Sequence, residues 1–295
     1  MNNITLKQLR YFNILAQQSH FGRAAEICAV SQPALSMQIK ELEETLNSKL
    51  VERVARKTQL THFGKEFAER ASAILRSVDE LEEFTRSMSD QLSGQLRVGV
   101  IPTIAPYLLP KIINELANTF PALDIHIRET LTQNLIKEVS EGQLDTAIVA
   151  LPISENSFTE VPLFTEEFVL VRPSADKGRP APNRQMLKEM RLLLLEEGHC
   201  FRDQALSFCN IQTTRPREML DGSSLSTLVQ LVSAGIGVTL IPEMALDVET
   251  RSANVSVTRF LDPKPSRTIG MIWRKTNPLT ERLTEISHII RKIAE

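Results

Sequence analysis

The chain has 295 residues, of which 42% are apolar and 24% charged, with a formal net charge of −2. That length and composition support two or three domains with a sizeable core and exclude a chain dominated by disorder. No stretch approaches the roughly 18 apolar residues of a membrane span, the opening residues hold no apolar core of signal-peptide length, and three cysteines are too few for a disulfide framework, so a cytoplasmic protein is expected.

The small net charge hides an asymmetry. Up to Leu60 the cations Lys7, Arg10, Arg23, Lys40, Lys49, Arg53, Arg56 and Lys57 outnumber the carboxylates Glu26, Glu41, Glu43, Glu44 and Glu52. A small basic head on an acidic body suits a nucleic-acid-binding module joined to something else. Within the head, Leu6, Leu9, Phe12, Ile14 and Leu15 recur at helical spacing. A second short helix is predicted over residues 21–28, where Ala24 and Ala25 permit close packing. Ser31 is suited to cap a third helix, and Pro33 is tolerated in its first turn. That helix is expected to bury Leu35, Ile39 and Leu42 and to expose Gln32, Ala34, Ser36, Met37, Gln38 and Lys40. Two short helices, a tight turn and a helix with a small polar start form a helix-turn-helix pattern. A three-helix packing module with a charged surface has the same periodicity.

Leu-Arg-Tyr-Phe from Leu9, Phe-Gly-Arg-Ala-Ala-Glu from Phe21, Ser-Gln-Pro-Ala-Leu-Ser from Ser31, Ile-Lys-Glu-Leu-Glu from Ile39, Leu-Val-Glu-Arg from Leu50 and Leu-Thr-His-Phe-Gly from Leu60 occur in that order. This run resembles the DNA-binding head of the LysR-type transcriptional regulators. Val51 stands where that family usually has Phe, a change expected to alter packing under the wing. The resemblance implies a winged helix-turn-helix over residues 1–62. Its DNA-facing set is Gln32, Pro33, Ser36, Gln38 and Lys40 on the third helix, with Arg53, Arg56 and Lys57 in a basic wing.

Thr61 is suited to cap a further helix running to about Gln91. Within it Phe67, Ala71, Ile74, Val78, Leu81, Thr85 and Met88 alternate at spacings of four and three, a heptad seam. Such a stripe pairs two chains or packs on its own domain; the resemblance favours a dimerising linker helix over residues 63–92. Ser93-Gly94 then breaks the helix.

From Leu96 the pattern changes. Strand-like runs at 96–101, 124–129 and 145–150 alternate with helical stretches, a βαβαβ order that implies parallel strands. Further strands are predicted at 168–172, 191–196, 237–241 and 268–273, with a helix from Leu225 to Ala234 and an amphipathic helix over 278–295. In open α/β sheets, sites form beyond the carboxyl ends of strands. Thr103, Thr132 and Cys200 each follow a predicted strand, although threonines there commonly serve as helix caps.

Cys200 and Cys209 lie nine positions apart in Gly-His-Cys-Phe-Arg-Asp-Gln-Ala-Leu-Ser-Phe-Cys. A thiolate attacks a peroxide oxygen to give a sulfenic acid, and a second thiol condenses with it to a disulfide. His199 and Arg202 provide Cys200 with cationic neighbours, whereas Cys209 adjoins Phe208 and Ile211. Cys200 is thus the expected attacker and Cys209 the resolver. If the stretch is helical, nine steps span about 13.5 Å, against alpha carbons within about 7 Å in a disulfide. The bond then requires unravelling. Two buried cysteines acting as small hydrophobes remain open on the residues alone, while the spacing matches no common zinc-ligand pattern.

The cysteine segment, Ile101-Pro-Thr-Ile-Ala-Pro-Tyr-Leu-Leu-Pro110, Glu160-Val-Pro-Leu-Phe164, Gly235-Ile-Gly-Val-Thr-Leu-Ile-Pro242 and Ser266-Arg-Thr-Ile-Gly270 together resemble the hydrogen-peroxide-sensing LysR-type regulators. The resemblance implies a C-terminal regulatory domain, residues 93–295, of two α/β subdomains of the periplasmic-binding-protein type. Subdomain I covers about 93–164 and 268–295, and subdomain II about 165–267. It assigns Cys200 as peroxidatic, Cys209 as resolving, and Thr103, Thr132, His199 and Arg267 as the peroxide pocket, with Arg202 and Asp203 also matching family positions. It further implies promoter DNA and hydrogen peroxide as partners, a homotetramer built from two dimers, contact with RNA polymerase, a cellular thiol reductant, and no cofactor, metal or membrane. A regulator that binds a small metabolite between its subdomains is the alternative; a thiol peroxidase is disfavoured by the DNA-binding head.

Overall fold

The computed structural model of the chain describes residues 4–54, 57–87, 94–153, 155–209 and 221–294. They fall into two units, Met1–Thr85 and Arg86–Glu295.

The first unit opens with helix α1 (Leu6–Gln18), started by a capping box in which Thr5 and Gln8 satisfy each other's backbone amides. Helix α2 (Phe21–Ile27) is capped by His20, and α3 (Gln32–Leu46) by Ser31, with Pro33 in its first turn. Phe12, Leu15, Ala24, Ala25, Leu35, Ile39 and Leu42 form the core; the small methyl of Ala24 lets the helices approach closely and is fully buried. The expected basic loop is a hairpin of strands β1 (Val51–Val54) and β2 (Lys57–Leu60), paired antiparallel with Val54 opposite Lys57. Buried Glu43 of α3 anchors its base: the carboxylate accepts the Leu50 amide at 2.9 Å and the Val51 amide at 3.2 Å, and meets Lys49 Nζ at 2.6 Å. Val51 is half-buried against the helical core.

Helix α4 (His62–Ser87) begins where Thr61 accepts the Gly64 amide at 2.9 Å and donates to the Lys49 carbonyl. Gly64 passes so close to the Leu50 carbonyl that no side chain fits between them. The predicted seam divides. Phe67 and Ala71 turn into the head, where Ala71 and Leu75 are buried with Leu9, and the rings of Phe12 and Phe67 pack at a tilt of 59° with centroids 5.6 Å apart. Ile74 and Leu81 are left exposed, at 50% and 64%. The lower turns of the helix thus complete the head. The side chain of Thr85 and all of Met88 lie outside the described residues.

The second unit begins with strand β3 (Gly94–Val100), helix α5 (Ala105–Thr119), strand β4 (Leu123–Glu129), helix α6 (Thr132–Ser140) and strand β5 (Thr146–Leu151). As the alternation predicts, β3 pairs in parallel with both β4 and β5. Strand β6 (Phe158–Pro173) is followed by α7 (Arg184–Glu189), β7 (Leu192–Leu195), α8 (Cys200–Cys209), β8 (Asp221–Gly222), α9 (Leu225–Ser233), β9 (Val238–Pro242), α10 (Leu246–Glu249), β10 (Val255–Arg259), β11 (Ser266–Arg274) and α11 (Thr280–Ala294). The strands follow the order β4-β3-β5-β11-β6-β9-β7-β8, with β10 also on β6.

Two cores divide this unit. One gathers β3, β5, α5 and α11 around Trp273, Ile104 and Leu283; the other gathers β7, β9, α8 and α9 around Leu193, Phe201 and Val229. Strand β6 links them. Its residues 158–167 pair with β11, and from Phe168 it pairs with β9 and β10. The strand expected at 168–172 is thus the second half of a longer strand, Phe158–Pro173, shared by both halves. A second tie is a 2.6 Å hydrogen bond from the Tyr107 hydroxyl on α5 to the buried Glu249 on α10.

Candidate functional site: a polar pocket and a cysteine helix

The candidate site lies where three strands end. Thr103 lies in the turn after β3, Thr132 opens α6 after β4, and Cys200 opens α8 after β7. Gly198 shapes the last of these loops. Its φ of +95° belongs to glycine, and an added Cβ would stand 2.9 Å from Leu131 Cδ1. The loop carrying Cys200 therefore lies against the residue that precedes Thr132. The Thr132 hydroxyl is buried and has no hydrogen-bond partner among the described residues, so it remains available to a small polar ligand.

Arg267, on β11, is 3% exposed and links Thr103 to the first turn of α8. Its Nη1 donates to Thr103 Oγ1 at 2.8 Å and its Nη2 to the Thr103 carbonyl at 3.2 Å. Its Nε donates to Glu166 Oε1 at 2.8 Å, with Nη2 2.7 Å from the same oxygen. The guanidinium carbon lies 5.2 Å from the ring centroid of Phe201, the residue after Cys200. Phe201 in turn packs edge-on against Phe168, at 4.7 Å. Burial pushes the Glu166 carboxyl up from the usual carboxylate range, and Arg267 opposes that shift.

Cys200 is half-buried against the first core, whereas Cys209 is fully buried in the second; neither is in a disulfide. They stand at the two ends of α8, a continuous helix of 10 residues. The flanking cations contribute differently from expectation. Burial lowers the pKa of His199, favouring its neutral form. Arg202 is buried and donates to the Leu195 carbonyl at 2.7 Å, tying α8 to the end of β7. Asp203 is exposed, and no described contact joins it to Thr103, Thr132 or Arg267; its place on the outer side of α8 departs from the expected pocket set. No group of three or more His, Cys, Asp or Glu that could hold a metal occurs among the described residues, and no described helix is long and apolar enough to cross a membrane.

On the head, Gln32, Pro33 and Lys40 are exposed along α3, while Ser36 and Gln38 are half-buried. Gln38 donates to Glu41 at 2.7 Å, and Lys40 pairs with Glu44 at 3.5 Å. Ala34, expected on the exposed face, is half-buried as well, and Met37 is 57% exposed. Arg53 and Lys57 lie on the paired strands with side chains outside the description; Arg56 lies outside the described residues.

Comparison with known families matches residues 6–65 to the bacterial regulatory helix-turn-helix of the lysR family and residues 89–294 to the LysR substrate binding domain. The chain belongs to the LysR family of transcriptional regulators. Among curated LysR-type relatives, the DNA-binding transcriptional dual regulator OxyR of Escherichia coli K12 is 39% identical over 98% of this chain and 95% of its own length. A probable hydrogen peroxide-inducible genes activator of Streptomyces viridosporus is 40% identical over 98% of this chain and 94% of its own. The regulator EstR of Acinetobacter baylyi is 36% identical over 98% and 97%. Of solved structures, a full-length cysteine-to-aspartate variant of OxyR from Pseudomonas aeruginosa matches with a TM-score of 0.78 and 36% identity, over 98% of this chain and 95% of that one. A hydrogen-peroxide-bound cysteine-to-serine variant of Corynebacterium glutamicum OxyR matches with a TM-score of 0.67 and 33% identity, over 99% and 92%.

Glu166, Phe201 and Phe168 belong to the pocket's surroundings and escape a linear reading. Glu166 is one of two adjacent glutamates, and only the register opposite Arg267 distinguishes it from Glu167.

Proposed function

We propose that this LysR-type chain is a hydrogen-peroxide-responsive regulator of transcription, with Cys200 as the attacking and Cys209 as the resolving thiol. The Cys200 thiolate attacks one peroxide oxygen; an S–O bond forms as the O–O bond breaks, and the departing oxygen takes up a proton to leave as water. Sulfur is oxidised and peroxide reduced. The Cys209 thiol then attacks the sulfenic acid, giving a disulfide and a second water. Thr103, Thr132 and Arg267 surround the reacting oxygens, and His199 borders them as a neutral ring. The observation that carries this reading is the buried Arg267, which touches both Thr103 and the aromatic ring next to Cys200. The peroxide-related names of whole-length relatives support the choice of signal.

The output is a changed DNA contact by the helix-turn-helix head of a dimer or of a tetramer built from two dimers. Antioxidant genes are the expected targets, RNA polymerase the downstream partner, and a cellular thiol the agent that resets the disulfide. Mass spectrometry of the peptide containing both cysteines, before and after low peroxide, together with a DNA footprint, tests the scheme. Disulfide formation and a shifted footprint are expected. Cys200→Ser should abolish both, and Cys209→Ser should still yield a trappable sulfenic acid. A footprint that shifts with peroxide in Cys200→Ser would overturn the assignment.

A further inference from the structure

We infer that Glu166 is a positioning residue for peroxide reduction, holding Arg267 so that the Thr103 hydroxyl is turned into a hydrogen-bond donor toward the departing oxygen. The inference rests on the peroxide reading given above. A guanidinium is a rigid planar fork, so fixing one edge fixes the direction of the other. Glu166 Oε1 accepts from Nε at 2.8 Å and lies 2.7 Å from Nη2, which fixes that edge. The Phe201 ring covers the guanidinium from the side, at 5.2 Å. Nη1 is then aimed at Thr103 Oγ1, 2.8 Å away.

A hydroxyl whose oxygen already accepts a bond still has its own proton to give. The Thr103 carbonyl is occupied by Nη2, so the proton is not needed to satisfy that group. It is free for the pocket, where the buried Thr132 hydroxyl also stands without a described partner. Breaking an O–O bond builds negative charge on the departing oxygen, and a donor polarised by a buried cation stabilises that charge more than it stabilises intact peroxide. Glu166 does not touch peroxide in this scheme. It sets the orientation of the cation and balances its charge in a site where both side chains are nearly dry.

The test uses the full chain, with Cys200 followed by site-resolved mass spectrometry. Two reactions are compared in the parent, Glu166→Gln and Glu166→Asp. One is oxidation by hydrogen peroxide. The other is alkylation by iodoacetamide, which needs the thiolate but no donor to a departing oxygen. Glu166→Gln should slow oxidation about tenfold or more, the factor expected for a transition-state interaction of modest strength, and leave alkylation within about twofold of the parent. Glu166→Asp, which restores the charge, should recover part of the lost oxidation rate. Equal oxidation rates in parent and Glu166→Gln would overturn the inference alone. A parallel fall in both reactions, without recovery in Glu166→Asp, would reduce Glu166 to a structural role and overturn it too. A parent whose Cys200 reacts with peroxide no faster than a free cysteine would sink the peroxide reading, and the inference with it.

Discussion

At the scale of single residues, Thr103 and His199 carry opposite lessons about charge. Thr103 is 3% exposed and accepts from a buried arginine. Thr103→Val keeps the shape but leaves Nη1 without that acceptor, which costs about 1–3 kcal/mol of stability. If the hydroxyl serves peroxide, oxidation of Cys200 should also slow about tenfold while alkylation is unchanged; an unaltered peroxide rate would remove Thr103 from the chemistry. His199 looks in sequence like a cation beside the thiolate, yet burial lowers its pKa from 6.5. The unfolded chain then protonates this ring at a higher pH than the folded chain does. The stability it contributes is therefore present above about pH 6.5 and is lost as pH falls through the folded value. In His199→Gln the difference between urea midpoints at about pH 7.5 and about pH 5.5 should shrink; an unchanged difference would mean that His199 stays exposed enough to titrate normally.

At the scale of elements, α8 is the part whose geometry conflicts with the product of the proposed reaction. Ten helical residues set the alpha carbons of Cys200 and Cys209 about 13.5 Å apart, beyond the reach of a disulfide by about a factor of two. Closing the bond extracts a fully buried Cys209 and disturbs Phe201 and Leu206, which share its core. Peroxide-treated protein should therefore show faster amide exchange across residues 201–209 than the reduced protein, with β9 as a protected reference. Equal protection in both forms would show that oxidation leaves the helix intact. Sequence periodicity and cysteine spacing are enough to anticipate this conflict, because helix rise and disulfide reach are local quantities. The seam of α4 is a different case. A heptad pattern gives the spacing of apolar residues without naming their partner, and Phe67 and Ala71 are taken up by Leu9 and Phe12 of the same chain. Long strand β6 is likewise hidden, since Pro162 and the polar run Thr165-Glu166-Glu167 interrupt its apolar pattern at the point where its partners change from β11 to β9. Pairings such as Arg267 with Glu166 and Tyr107 with Glu249 join residues more than a hundred positions apart, so the site's ends are legible in short motifs while its supports are not.

At the scale of the whole molecule, the proposed cysteine chemistry and the helix-turn-helix lie in units with separate cores. The head's core is closed by Glu43, whose buried carboxylate holds the first amides of the wing and Lys49. Hydrogen bonds to a charged group contribute about 1.5–3 kcal/mol each, and the three donors described for Glu43 all belong to the head. Glu43→Gln keeps one carbonyl acceptor for the two backbone amides but loses the charge and turns an amide donor toward the Lys49 ammonium. The wing's entry from α3 should loosen, weakening affinity for a promoter fragment by about tenfold, or about 1.4 kcal/mol. The oxidation rate at Cys200 should stay at the parent value, because nothing in the pocket is changed. Cys200→Ser should give the mirror result, with normal affinity of the reduced chain for DNA and no response to peroxide. Fluorescence anisotropy of labelled DNA and stopped-flow thiol oxidation on the same preparations provide both readouts. If Glu43→Gln altered the oxidation rate, the two cores would not be independent, and the cysteine chemistry would have to sense the state of the head as well as direct it.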